Sequence, residues 1–140
     1  MDIIKLIQQK YGDSCQLCSP LNKNQYNKAR KILPVELLEI LEISNGINEL
    51  MTHPNTNNGK PFIIGRIIYS FDEIKSETDN YLDEYGGEGV VFASNGAGGS
   101  FIIKPDGKIY IVEYFDEGEE FYAKSLSDYF YKCNKWKIEW

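Results

Sequence analysis

VVFASNGAGGSFIIKPDGKIYIVEYFDEGEEFYAKSLSDYF, residues 90–130, decides the fold class of this chain. VVFAS, SFIIK and KIYIVEYF are rich in β-branched and aromatic residues and are bounded by turn formers, so each reads as a strand. The first two are joined by Asn95-Gly96-Ala97-Gly98-Gly99 and the last two by Pro105-Asp106-Gly107. Connections this short link antiparallel neighbours, because a parallel crossover needs a dozen residues or more. An acidic loop follows, and Ser125, with Asp128 three residues on, caps a closing helix whose inner face is Leu126, Tyr129, Phe130 and Cys133.

Upstream, Ser70 and Glu73 have the spacing of a capping box. They open a helix with Ile74, Thr78, Tyr81, Leu82 and Tyr85 on its inner face. Its outer face is acidic, with Asp72, Glu77, Asp79, Asp83 and Glu84. Before it, FIIGRIIYS (residues 62–70) reads as a strand with Gly65 at its centre, and residues 51–61 read as a long polar loop. Pro34 stands where a first helical turn tolerates it, and VELLEILEIS follows. Glu36, Glu39 and Glu42 make one narrow polar stripe there, which predicts a helix buried around most of its circumference, ended by Asn45-Gly46. Ile3, Leu6, Ile7 and Tyr11 predict a short amphipathic helix that stops at Gly12. Residues 13–33 read as polar and irregular, ending in the basic cluster Lys28, Arg30 and Lys31. No repeat or linker interrupts the pattern. The expectation is one α+β domain over residues 1–140, with a mainly antiparallel twisted sheet of about four to six strands packed against helices.

Bulk properties narrow the function. The chain has 140 residues, 42% hydrophobic and 14% aromatic, enough to bury a core without a metal or disulfide. Fifteen Lys+Arg against 21 Asp+Glu give a net charge of -6. That charge repels nucleic-acid backbones and anionic membranes and favours encounter with a basic protein. No apolar run approaches the roughly 18 residues of a membrane span. The start, MDIIKLIQQKYG, lacks the features of a secretion signal, and three Cys without such a signal fit a reducing compartment, so a cytoplasmic protein is expected.

Candidate chemistry weakens on inspection. The glycines at 95–99 lead into a strand, whereas a phosphate cradle must lead into a helix N-terminus. Cys15-x-x-Cys18 is half of a possible zinc or redox site, but the remaining candidates of the usual type are His53, in a polar loop, and Cys133, on an apolar helical stripe. Glu113, Asp116, Glu117, Glu119 and Glu120 form the densest charge cluster, yet EYFDEGEE lacks the alternation of a calcium loop and no nucleophile–base pair accompanies it. The residues therefore predict no catalytic group, no cofactor and no metal, and a solvated acidic surface suited to docking a basic partner. Aromatic neighbours such as Tyr110 and Phe121 could anchor such an interface.

The pattern resembles the SUKH superfamily, the domain of fungal cell-wall assembly regulators and many bacterial immunity proteins. The matching pieces are Leu33-Pro34 leading into a helix that ends Ser44-Asn45-Gly46, an intermediate strand, and the strand pair around Ala97-Gly98-Gly99. The Asp106-Gly107 turn before Ile109-Tyr110 and Ala123-Lys124-Ser125-Leu126 before the last helix complete it. Together they span about residues 30–131. The resemblance implies an α+β fold with a mainly antiparallel sheet backed by helices and no catalytic residues. It also implies a function, since bacterial members typically neutralise a toxin domain, often a nuclease, made beside them. Pro34, Asn45, Gly46, Gly98 and Gly107 then read as fold-makers, not contact residues. Contact with the toxin is assigned on charge to Glu113, Asp116, Glu117, Glu119 and Glu120, together with Asp79, Asp83 and Glu84 on the acidic helix. Two alternatives stay open: a non-catalytic adaptor of the cell-wall regulator type, and a metal protein or enzyme using Cys15, Cys18 and His53. The sequence leaves the oligomeric state undetermined.

Overall fold

The computed structural model describes residues 2–85, 88–94, 96, 98–113 and 118–132, with the backbone alone for 83–85. In chain order the elements are α1 (Ile3–Tyr11), β1 (Cys15–Leu17), α2 (Lys23–Ala29), α3 (Val35–Ile43), β2 (Ile47–Met51), β3 (Phe62–Ile68) and α4 (Phe71–Tyr85). They continue with β4 (Val90–Ser94), β5 (Gly99–Ile103), β6 (Ile109–Glu113), β7 (Glu119–Ala123) and α5 (Leu126–Lys132). The α+β class holds, and every strand pairing is antiparallel. The strands divide into two sheets, ordered β1-β2-β3 and β4-β5-β6-β7. A backbone bond from the Tyr69 N–H to the Phe92 carbonyl (2.9 Å) ties the end of β3 to β4.

Local chemistry explains most boundaries. Asp2 accepts a hydrogen bond from the Ile4 N–H to open α1, and Gly12 closes it at φ +53°. Ser70 and Glu73 form the expected capping box of α4: the Glu73 N–H donates to Ser70 Oγ (3.3 Å) and the Ser70 N–H to Glu73 Oε1 (3.0 Å). Gly96 (φ +77°) and Gly98 (φ +90°) lie in the β4–β5 hairpin link, and Gly107 (φ +87°) completes the turn before β6. Asn95 and Ala97 lie outside the described residues.

Several expectations need correction. Residues 13–33 are not irregular: they hold β1 and α2, and α2 opens on a reciprocal Asn22–Gln25 capping box (2.8 and 2.9 Å). Residues 47–51, unassigned from the sequence, are β2, the central strand of the first sheet. Helix α3 is not buried all round. Leu37, Ile40 and Leu41 are buried, but Val35 and Ile43 are 69% and 52% exposed, so one i, i+3, i+4 stripe does the packing. Pro34 is the N-cap of α3 (φ -57°, ψ 149°), one residue ahead of its first turn. Leu82, expected on the inner face of α4, is 40% exposed.

A single main core runs from Ile4, Leu6 and Ile7 of α1 to Leu126, Tyr129 and Phe130 of α5, gathering Leu37, Ile68, Phe92, Ile103 and Ile109 between them. Phe92, Phe101, Tyr122 and Tyr129 meet edge-on or tilted, with ring centroids 4.9–6.5 Å apart. The other face of the four-stranded sheet carries a smaller cluster of Val91, Ile102 and Val112 under Tyr81 of α4. Thr78 Oγ1, also from α4, accepts the Val91 N–H (3.0 Å) and so closes part of the outer edge of β4.

Candidate protein-docking surface

The expected acidic loop is in part a strand. Glu119 and Glu120 belong to β7, whose register sets Glu119 opposite Val112, Glu120 opposite Ile111 and Phe121 opposite Tyr110. Side chains alternate along a strand, and this divides the carboxylates. Glu119 projects with Tyr110, Val112 and Phe121 on the face of the smaller cluster. Glu120 projects with Ile111 and Glu113 on the opposite face, that of the main core, where both acids are exposed at the end of the hairpin. A run that looks like one acidic patch in the sequence is thus two sites on opposite sides of a two-strand ribbon.

The two sides differ electrostatically. Lys104, just past β5, reaches across β6 to Glu119 (2.8 Å) and lies over the Tyr110 ring, 5.5 Å from its centroid. Partial burial pushes the Glu119 carboxyl up from the usual carboxylate range, whereas the nearby ammonium favours its charged form. Phe121, 52% exposed, meets Tyr110 edge-on at 5.7 Å, and Lys132 Nζ stands 6.0 Å from its centroid. Lys132 also donates to the Tyr122 carbonyl (2.8 Å) and pairs with Asp128 (3.5 Å). The Lys124 backbone N–H, bonded to Asp128, holds that carboxyl below its ordinary value. The Phe121 side is therefore an aromatic surface with compensated charges. The side chains of Glu113 and Glu120 have no ion pair or hydrogen-bond partner among the described residues and are open to solvent or a partner.

On α4, Asp79 is exposed and likewise has no such partner among the described residues. It borders an open groove of about 590 Å³ with Ile32, Pro34, Leu82 and Val90 among its lining and Lys31, Lys75 and Glu88 also at its border. Asp83 and Glu84 fall on α4 but their side chains lie outside the described residues, as do Asp116 and Glu117. The expected set of eight acids is thus placed in part: Glu113 and Glu120 on one face, Glu119 on the other, and Asp79 on a separate helix.

The cysteine alternative gains no geometry. Cys15 lies on β1 opposite Glu49, and the Cys18 N–H is bonded to Ser44 Oγ (2.8 Å). His53 sits in the loop after β2, its Nδ1 accepting the Asn55 N–H (3.1 Å). Among the described residues no group of three or more His, Cys, Asp or Glu gathers in a way that could hold a metal, and Cys133 lies outside them. Burial pushes the Cys15 thiol up, away from the thiolate that redox or metal chemistry requires.

The residues that carried the sequence resemblance converge on structure. Ser44 Oγ accepts the Cys18 N–H and donates to the Gly46 carbonyl (2.6 Å). Asn45 Oδ1 accepts the Phe71 N–H (2.8 Å) and so caps α4 from across the fold. Gly46 (φ +91°) passes so close to Ser70 that an added Cβ would lie 2.9 Å from its backbone nitrogen. A family model described as SMI1 / KNR4 family (SUKH-1) matches residues 27–132, well over half of the chain. The chain belongs to this family. No curated protein matches it. The SUKH-1 match begins inside α2 and ends with α5, so it takes in Ser44-Asn45-Gly46, the Asp106-Gly107 turn and the β6–β7 hairpin. α1 and β1 precede the SUKH-1 span, yet α1 supplies Ile4, Leu6 and Ile7 to the common core. No helix among the described residues is long and apolar enough to cross a membrane.

Proposed function

We propose that this SUKH-1 domain is a cytoplasmic immunity protein that binds and occludes a cognate toxin domain with a basic surface, such as a nuclease. Membership of a family that includes immunity proteins supports the class. The observation that carries the mode of action is the pair of uncompensated carboxylates, Glu113 and Glu120, exposed together on one side of the β6–β7 ribbon of a chain with net charge -6. A nuclease needs cations to hold its phosphates, and acids placed against them cover that surface and accelerate encounter. Exposed Phe121, on the opposite face of the same ribbon, offers an apolar anchor to a partner that wraps its edge, and Asp79 beside the α4 groove offers a second acidic contact. Occlusion of this kind needs no catalytic group in the binder. Free thiols at Cys15 and Cys18 are compatible with a reducing compartment.

The test is co-expression with the product of an adjacent gene that encodes a toxin domain. Rescue of growth and a one-to-one complex are expected, and Glu113→Lys combined with Glu120→Lys should abolish rescue while leaving the circular dichroism spectrum unchanged. A toxin that stays fully lethal beside the unmodified chain, with no complex at low salt, would refute the immunity reading. A complex indifferent to both reversals would keep the immunity reading and move the site off the β6–β7 ribbon.

A further inference from the structure

The sheet edges of this molecule are guarded unequally. β1 is only three residues long. Along β4, Thr78 takes the Val91 N–H and Tyr69 takes the Phe92 carbonyl. β7 carries Glu119 and Glu120, and Lys132 occupies the Tyr122 carbonyl. Short length, charge and side-chain capping are the usual devices that stop a strand from pairing with another chain. β3 lacks them. It is seven residues long; its end, Ile67 and Ile68, is buried and runs into the Tyr69–Phe92 bond to β4, but among the described residues no backbone hydrogen bond reaches its outer edge from Phe62 to Arg66. A bulge re-aims this strand between the Leu50↔Ile63 and Glu49↔Gly65 pairs, and Ile63 and Ile64 stand 56% and 41% exposed as neighbours. Beside them, an added Cβ at Gly65 would meet no atom within 4 Å. An open backbone edge flanked by exposed β-branched residues is a pairing template.

We propose that β3 pairs antiparallel with β3 of a second copy across a two-fold axis, making the protein a homodimer joined through its first sheet. Charge selects this occupant. The chain as a whole is strongly acidic, but residues 60–68 (KPFIIGRII) contain no acid, and Arg66 is already paired with Glu73 at 3.1 Å. This stretch can therefore approach its own copy without the repulsion that the rest of the surface would meet, while it offers a basic partner nothing to attract it. Sequence complementarity agrees. A register centred between Ile63 and Ile64 sets Ile63 against Ile64 of the second copy and Phe62 against its Gly65. There an aromatic ring fills the space left by the missing side chain, a cross-strand pairing known to rescue glycine in sheets. The two-fold symmetry duplicates each contact.

The inference is independent of the toxin reading, and its salt response has the opposite sign. Sedimentation velocity from about 1 µM to about 500 µM spans weak to moderate self-association. The mass should double from the 16.1 kDa monomer as concentration rises, and the dimer should persist or strengthen at high salt, where self-repulsion is screened. Ile63→Lys and Ile64→Lys should each return the monomer mass with unchanged circular dichroism. In the unmodified chain, amide hydrogen exchange at Phe62–Arg66 should slow as concentration rises, a readout that decides the matter if either variant misfolds. A monomer throughout that range overturns the proposal. So does a dimer that survives both folded lysine variants, or concentration-dependent protection confined to other segments. A monomer that loses its protein partner on Ile64→Lys also overturns it, by assigning the edge to that partner.

Discussion

At the scale of single residues, Ser44, Asn45 and Gly46 show how a short motif fixes distant parts of the chain. Ser44 holds the backbone after β1, Asn45 caps α4 across 26 positions of sequence, and Gly46 lets β2 start against Ser70. The left-handed conformation of Gly46 was readable locally, because a glycine after a helix end invites it. The bond from Phe71 to Asn45 was not, because nothing near Asn45 in the chain names its partner. Gly46→Ala meets two penalties: a side chain at φ +91° and a Cβ 2.9 Å from the Ser70 nitrogen, where backbone must shift to make room. The expected loss is about 2–4 kcal/mol. Gly12→Ala carries a backbone penalty alone, since at φ +53°, ψ -127° its Cβ would meet nothing within 4 Å, and should lose about 1–2 kcal/mol. Urea denaturation of the two variants checks the difference. Equal losses would mean that the approach to Ser70 relaxes freely.

At the scale of elements, what could be read from the sequence depended on whether an element carries its own signal. α1, α4 and α5 have apolar stripes and side-chain caps within their own residues, and β4, β5 and β6 have β-branched runs between tight turns. These six were legible, as were α3, from Pro34 and the apolar run after it, and β3, from FIIGRIIYS. β1, with three residues, and β2, INELM, owe their identity to each other and to β3, information that lies in pairing and not in either segment. β7 was hidden by its charge: Glu119 and Glu120 read as loop, although the register with β6 makes them strand. α2 did carry a signal, the Asn22–Gln25 spacing, but its polar sequence has no apolar stripe to reinforce it. The all-round burial expected for α3 failed because periodicity cannot tell which apolar residues meet a neighbour. The contrast between α1 and α3 is measurable. Ile7 is fully buried and Ile43 is 52% exposed, so Ile7→Ala should lose about 2–4 kcal/mol and Ile43→Ala less than about 1 kcal/mol. Because α1 lies ahead of the SUKH-1 span, a negligible effect at Ile7 would show that the N-terminal helix is an appendage and not part of the common core.

At the scale of the whole molecule, the net charge of -6 acts on any encounter, but the fold decides where that charge is usable. Lys104 and Lys132 compensate Glu119 and Asp128 beside the aromatic surface, leaving Glu113, Glu120 and Asp79 as the described acids of the expected set that point their charge outward. The sequence showed how much acid the chain carries; it could not show this sorting, because Lys104 reaches Glu119 only once β6 lies between them. The sorting gives a kinetic prediction for the proposed toxin complex. Long-range attraction is screened over about 10 Å at 0.1 M salt and about 3 Å at 1 M, so the association rate should fall on the order of tenfold between about 50 mM and about 500 mM salt. Glu113→Lys with Glu120→Lys should slow association at low salt by a similar factor and flatten its salt dependence. Glu119→Lys is a different perturbation, because it faces Lys104 with a like charge, and it should show first as a lower melting temperature. Stopped-flow association measured with all three forms separates steering from stability. A rate that ignores salt in the unmodified chain would assign recognition to Phe121 and its apolar neighbours instead of to the carboxylates.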